Sequence, residues 1–318
     1  MPRLIFLLFL FLILFSCTTQ KERAIEIESF RNLTEIPSAS GVQFIDNEIW
    51  MVGDDSPFLY QFDSNLKLLN KYKISSIENK MGKRVDKFEK ADYESIAGIG
   101  DSLFILGSGS VEGSRDTMVI FNMKQEKVIS KYNVRKLYSE FLGISVFDTT
   151  KPINIEGLVV SNHSIYFLNR GNVFGNNDIY QSSILGFYNY LKKDTSINLS
   201  YQRYSLPEIN QFTSGFSGVC TTQDGQYLYF TSSVEATNDA YSDGEVLGSF
   251  IGRIHLENKE IQTWPLIEND QFVKTKLESI SIIENNTEFI RFVCTSDNDD
   301  GTSGVYYLKL NLKPESYE

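Results

Sequence analysis

Histidine is nearly absent from this chain of 318 residues: His163 and His255 are the only two. One falls in a tight turn and the other inside a strand pattern, so neither a His-rich metal site nor a Ser-His-Asp relay can be assembled from them. Cysteine is almost as scarce, with Cys17, Cys220 and Cys294. Cys220 and Cys294 each stand where a strand residue faces a core, and they read as buried free thiols rather than a disulfide framework. Lys and Arg form no cluster and the formal net charge is −11, which excludes nucleic acid and makes anionic headgroups poor partners. Also missing are a linker, a low-complexity tract and a shift of composition, so the body of the chain reads as one domain.

The N-terminus is a different matter. Pro2-Arg3 precedes an unbroken apolar run over residues 4–15, followed by Ser16-Cys17. That run is shorter than the roughly 20 residues a membrane-spanning helix needs, and it describes a secretory signal. Leu14-Phe15-Ser16-Cys17 resembles the lipobox of bacterial lipoproteins. The resemblance implies cleavage before Cys17 and a lipid on its thiol. Residues 1–17 are then a signal peptide ending at the lipidated Cys17, and residues 18–23 a tether reaching on the order of 20 Å. Residues 24–318 form the domain, a monomer held to the membrane of the bacterial cell envelope by its anchor.

Within that domain one phrase returns about every sixty residues: Ser40-Gly41-Val42, Glu94-Ser95-Ile96, Glu156-Gly157-Leu158, Ser217-Gly218-Val219 and Glu278-Ser279-Ile280. A fixed period of that size without a helical pattern inside it signals an array of like β units. Short runs rich in aromatic and β-branched residues, divided by Asn/Asp/Gly turns, make each unit an antiparallel meander. The second strand of each carries an aromatic: Trp50, Phe104, Tyr166, Tyr229 and Phe292. The last unit lacks a fourth strand, and residues 24–28 alternate in polarity without belonging to any other unit. Pairing them closes a ring and removes two open sheet edges. The expected fold is all-β, a β-propeller of five four-stranded blades with an N-terminal closing strand. A six-bladed ring, using 75–92 or 134–153 for an irregular blade, is the alternative.

Antiparallel order gathers nearly all the long segments (75–92, 134–153, 169–182, 232–248 and 295–303) at one mouth of the ring, where binding sites on rigid scaffolds usually lie. The anchor residues that open each repeat line its inner rim. Glu94, Glu156 and Glu278 therefore face one opening and repel, so they need protonation, an Arg partner or a bound cation. With Asp54, Asp55, Asp92, Glu235 and Asp297 on the same face, the donors suit Ca²⁺ better than Zn²⁺. The competing reading makes these glutamates structural ties to Arg115 and Arg170. Asp297-Asn298-Asp299-Asp300-Gly301 lacks the later Glu of an EF-hand, and Gly107-Ser108-Gly109-Ser110 lacks the Lys of a phosphate loop.

Asp92-Tyr93-Glu94-Ser95-Ile96, Ile155-Glu156-Gly157-Leu158 and Leu277-Glu278-Ser279-Ile280 resemble the D-x-E-G-hydrophobic phrase of phytase-like and SdiA-regulated propellers. Those belong to a broader set of calcium-dependent hydrolase propellers that includes strictosidine-synthase-like proteins. The chain is also similar to lipoprotein propellers of Bacteroidota-type bacteria. The resemblance implies Ca²⁺ near the axis, held by Glu94, Glu156 and Glu278, and a phosphoester or ester substrate; Asp54 and Asp297, read from their place on the same face, are the further candidate metal ligands. Arg115 and Arg170 are then the candidates to hold a small anionic group by bidentate contact. The sequence departs from the phrase at Ser40 and Ser217 and offers no His for proton transfer. The alternative is a non-catalytic propeller that binds a glycan, peptide or envelope protein at its mouth, with Phe174, Tyr180 and Tyr241 supplying contact area.

Overall fold

The computed structural model describes residues 24–76, 89–145, 153–171, 176–193, 196–237, 244–298 and 300–312. Residues 1–23, on which the expected signal peptide, Cys17 and tether fall, lie outside them, as do Phe174 and Tyr241. A first strand β1 (Ile25–Leu33) is followed by a blade of β2 (Ala39–Ile45), β3 (Glu48–Gly53), β4 (Phe58–Asp63) and β5 (Leu68–Lys73). The second blade comprises β6 (Tyr93–Ile99), β7 (Ser102–Gly107), β8 (Thr117–Asn122) and β9 (Lys127–Asn133), and a helix α1 (Arg135–Ile144) follows it. The third holds β10 (Ile155–Ser161), β11 (Ser164–Asn169), β12 (Asn177–Ser183) and β13 (Ser200–Tyr204), with helix α2 (Ile184–Lys193) inserted before its outer strand. A hairpin of β14 (Glu208–Ile209) and β15 (Phe212–Thr213) leads to β16 (Gly215–Thr221), β17 (Tyr227–Ala236), β18 (Glu245–His255) and β19 (Ile261–Pro265). A second hairpin, β20 (Ile267–Glu268) and β21 (Gln271–Phe272), precedes β22 (Lys276–Asn285), β23 (Phe289–Asp297) and β24 (Ser303–Asn311).

The last sheet runs β22-β23-β24-β1, so the N-terminal strand is the fourth strand of the final blade. Ile25 pairs with Leu310 and Leu33 with Ser303. Ring closure is thus a backbone ladder between the two ends of the chain, and the five-bladed reading holds. The stretch 134–153 supplies no sixth blade. Its described part is α1, which buries Leu137, Tyr138 and Phe141 on one face. Much of 75–92, from residue 77 to 88, lies outside the described residues.

Inner strands β2, β6, β10, β16 and β22 touch their neighbours around the ring. That crowding sets their composition. A Cβ on Gly218 would lie 2.6 Å from the backbone of Ser279 on the adjacent blade, closer than any side chain tolerates. Farther out, alternate strand residues meet between blades. The second-strand aromatics Trp50, Phe104, Tyr166, Tyr229 and Phe292 are all buried there, and the Tyr229 and Phe292 rings lie 5.3 Å apart across one blade interface. Burying a large apolar side chain contributes about 1.5–3 kcal/mol, so these layers supply much of the ring's cohesion. Cys220 and Cys294 are free and buried in the same interface. Tyr180 is a correction: it is fully buried, stacked 4.4 Å from Phe141 of α1, and offers no contact area at the mouth.

Candidate functional site

Each inner strand begins with a β-bulge, and its extra residue is the anchor of the repeat. The ladders skip from Ala39 to Gly41, Tyr93 to Ser95, Ile155 to Gly157, Phe216 to Gly218 and Leu277 to Ser279. Ser40, Glu94, Glu156, Ser217 and Glu278 are therefore the residues left without a cross-strand partner. A bulge re-aims the side chain it carries, and here all five are at the mouth end of the ring. The serines and glutamates then part company. Ser40 donates its hydroxyl proton to the Tyr93 carbonyl, and Ser217 donates to the Leu277 carbonyl at 2.5 Å. Each serine thus ties its blade to the residue just before the next blade's glutamate.

Two acid-base groups fill the axial opening. In the first, Arg170 is the hub, its side chain only 2% exposed. Arg170 Nη2 bonds Glu235 Oε2 at 2.6 Å, and Nη1 lies 3.9 Å from Glu156 Oε1 and 3.7 Å from Glu278 Oε2. Lys276 adds contacts of 3.1 Å to Glu278 and 3.5 Å to Glu235. Asn154 Nδ2 donates to Glu156 Oε1 at 2.7 Å. Burial works against Glu235, but Lys276 and Arg170 outweigh it and hold its carboxyl below the usual range. Burial pushes Glu278 up to about 8, with Lys276 and Arg170 pulling the other way. Burial likewise raises Glu156 against the pull of Arg170 and Lys276. Arg170 Nη1 and Glu278 Oε2, 3.7 Å apart, each lack a hydrogen-bond partner.

The second group centres on Lys90. Its ammonium bonds Asp54, lies 3.0 Å from Asp92 and 3.3 Å from Asp55. Asp92 also accepts from Arg115 at 2.8 Å and from Ser108. Its backbone is held at φ 53, a left-handed conformation that costs a non-glycine residue energy and is tolerated where the surroundings fix it. Beside this knot stands Glu94. No ion pair reaches it among the described residues. Burial, then the charges of Glu156, Asp92 and Asp54, raise its carboxyl well above the ordinary range, with Lys90 pulling the other way. Asp54 is pushed by burial to about 7, Lys90 pulling down and Asp55 and Asp92 pushing up. Carboxylate oxygens of Asp54, Asp92 and Glu94 lie within 4.8 Å of one another, and Asp54 Oδ1 is buried without a hydrogen-bond partner.

The structure therefore brings Glu94, Glu156, Glu278 and Asp54 to one opening. Asp297 ends β23 as the cross-strand neighbour of Lys276 and Ser303, and the carboxylates that cluster are those of Asp54, Asp92 and Glu94. Arg115 and Arg170 are both at the mouth, both buried and both engaged by carboxylates. His163 sits at the end of the ring opposite the anchors, as does His255 at the close of β18. Sequence reasoning missed Lys90 and Lys276, which supply half of the positive charge among the site's four named basic groups. A signal for part of this was present. The residues two before the anchors are Ser38, Asp92, Asn154, Gly215 and Lys276, and in an extended chain such positions share the anchor's side. Gly107-Ser108-Gly109-Ser110 turns out to serve this knot, since Ser108 and Ser110 both bond Asp92. A side chain at Gly109, at φ 77, would collide with the Tyr138 ring at 2.6 Å.

The chain is similar in fold to Myxococcus xanthus glutaminyl cyclase, with 8% identity, a TM-score of 0.53 and an alignment covering 91% of this chain and 97% of the other. Kuenenia stuttgartiensis hydrazine synthase aligns at 11% identity over 86% and 80% of the two chains, with a TM-score of 0.43. Virginiamycin B lyase from Staphylococcus aureus aligns at 12% identity over 90% and 99%, with a TM-score of 0.41. At such identities the likeness concerns architecture and carries no chemistry. No curated protein sequence matches the chain. Residues 35–312, nearly all of the described ring, match a family of unknown function (DUF6929), and the chain belongs to that family.

Proposed function

We propose that this propeller is an envelope-anchored binding protein whose mouth takes a divalent cation, Ca²⁺ by its donor set, and through it an anionic ligand. Glu94 is the observation that carries the reading. A bulge aims it into the axis, its nearest charges are mostly acidic, and among the described residues no base forms an ion pair with it. A carboxyl so placed must stay protonated or acquire a cation. The fit to Ca²⁺ rests on the donors: Asp54, Asp92 and Glu94 offer hard oxygens within 4.8 Å of each other, with Asp54 Oδ1 unpartnered. The Lys90 ammonium already sits among Asp54, Asp55 and Asp92, which supports a pocket built for positive charge. When bound, the cation would supply positive charge for an anionic group. Arg115, already holding Asp92, is the guanidinium placed to take the other end of that group, while Arg170 is committed to three glutamates.

Binding without turnover is favoured over a Ca²⁺-assisted phosphoester or ester hydrolase. Among the described mouth residues, Ser108 and Ser110 donate to Asp92, whose two carboxylate oxygens are already engaged by Lys90 and Arg115, so neither serine is set against an uncommitted general base. A small anion, or an anionic glycan, peptide or envelope protein, is the class of ligand this mouth suits. The test has two parts. Millimolar Ca²⁺ is expected to raise the melting temperature of the wild type, since a ligand at one hundred times its Kd stabilises by about 2.7 kcal/mol. No turnover of p-nitrophenyl phosphate or p-nitrophenyl acetate is expected. A melting temperature indifferent to Ca²⁺ would defeat the cation reading. Ca²⁺-dependent turnover lost in Glu94→Gln would establish the hydrolase in place of the binding protein.

A further inference from the structure

We infer that the ring stands on the bilayer by the face opposite its site, so that the mouth looks away from the membrane. The inference rests on the proposed anchor at Cys17. The strand register carries it. Lys276 and Glu278 begin β22 at the mouth, and the ladder links Lys276 to Asp297, Asp297 to Ser303 and Ser303 to Leu33. At the other end, Asn285 pairs with Ile290, Ile290 with Leu310 and Leu310 with Ile25. The chain therefore enters the fold at the end remote from Glu94. Only residues 18–23 separate Cys17 from Ala24, and a stretch of that length extends at most about 25 Å. The nine residues of β1 rise about 30 Å between the two faces. A chain fixed to lipid at Cys17 cannot climb that height, clear the mouth loops and turn the mouth onto the same bilayer.

What that remote face presents is consistent with lying on lipid. Its turns at Asp46-Asn47, Gly100-Asp101 and Asn162-His163 are short. The exception is the link of the third blade, which contains α2. Phe187 and Tyr190 bury one side of the helix, and Tyr188 packs edge-on against Phe104 at 5.8 Å. The other side turns outward. Leu185 is 69% exposed, and Lys192 and Lys193 occupy the last turn. An exposed leucine beside lysines suits the boundary between acyl chains and headgroups. In a chain of net charge −11, electrostatics cannot draw the whole domain to an anionic surface. The anchor supplies the affinity and α2 sets the attitude.

The test uses the full lipidated chain, reconstituted in vesicles of phosphatidylethanolamine and phosphatidylglycerol that contain headgroup-proximal nitroxide lipids. A fluorophore is placed by Leu185→Cys on α2 or by Glu112→Cys on the mouth loop between β7 and β8, both exposed positions. Quenching severalfold stronger at position 185 than at 112 is expected. Equal quenching, or stronger quenching at 112, overturns the orientation while leaving the anchor intact. Cys17→Ser serves as the control. If it co-purifies with membranes as the wild type does, the anchor reading fails, and this inference fails with it.

Discussion

The Arg170 and Lys90 groups use the same kinds of residue a few ångströms apart, yet they are built to opposite ends. Around Arg170, Glu156, Glu235 and Glu278 meet Arg170 and Lys276, and each carboxylate touches at least one base. Around Lys90, Asp54, Asp55 and Asp92 share one ammonium and Asp92 also takes the Arg115 guanidinium, while Glu94 has no ion pair among the described residues. The first half is a frame that locks three blades together at the axis. The second is the pocket proposed above to take a cation. Three glutamates in equivalent repeat positions thus divide into two that meet bases and one that has no ion pair among the described residues, a distinction that depends on which neighbours reach each and not on the repeat itself.

The largest effect should come from cutting one charge out of each half. Arg170→Leu leaves three buried carboxylates without their hub, and breaking a buried pair in this way costs about 3–5 kcal/mol. Chemical denaturation should show that loss with or without Ca²⁺. Lys90→Met should destabilise comparably in chelator, but Ca²⁺ should restore most of the loss because the dication replaces the missing ammonium. If Ca²⁺ rescues both variants alike, or neither, the division of the site into frame and pocket is wrong.

A smaller effect distinguishes the halves by pH. Asp54 and Glu278 hold protons in the folded state up to about 7 and about 8, well above their unfolded values of 3.8 and 4.5. Stability from these groups is fully present below the unfolded values and is lost as pH rises through the folded ones. In chelator, the melting temperature should therefore fall as pH is raised from about 4 to about 8, with the raised carboxyls of Glu94 and Glu156 adding to the fall. Asp54→Asn should remove the contribution lost between 3.8 and about 7, and Glu278→Gln the one lost between 4.5 and about 8. Ca²⁺ should flatten the Asp54 contribution and leave that of Glu278, since it competes with protons only in the pocket.

Much of this architecture was legible before any coordinate. The sixty-residue phrase and the second-strand aromatics mark the blades, and the orphan alternation at residues 24–28 marks the closing strand that β1 proves to be. The anchors were legible as residues of one position, because crowding at the axis imposes Gly or Ser immediately after each. Their bulges were not, since a bulge is a property of the register between two strands. Helices α1 and α2 escaped notice because each is a ten-residue segment with only two or three buried apolar positions, too little to separate a helix from a polar link. Lys90 and Lys276 escaped because a lone lysine carries no pattern. Only the fold shows that one lies among aspartates and the other among glutamates. Tyr180 misled because aromatics near a long loop read as contact surface, whereas α1 covers it.

Calorimetric titration of Ca²⁺ into the chain lacking residues 1–17 tests the pocket most directly, with Glu94→Gln and Glu278→Gln measured alongside. Saturable binding by the wild type should disappear in Glu94→Gln and persist in Glu278→Gln. Absence of binding by the wild type, or its loss in Glu278→Gln with Glu94→Gln unaffected, would contradict the assignment of the Lys90 half as the cation site.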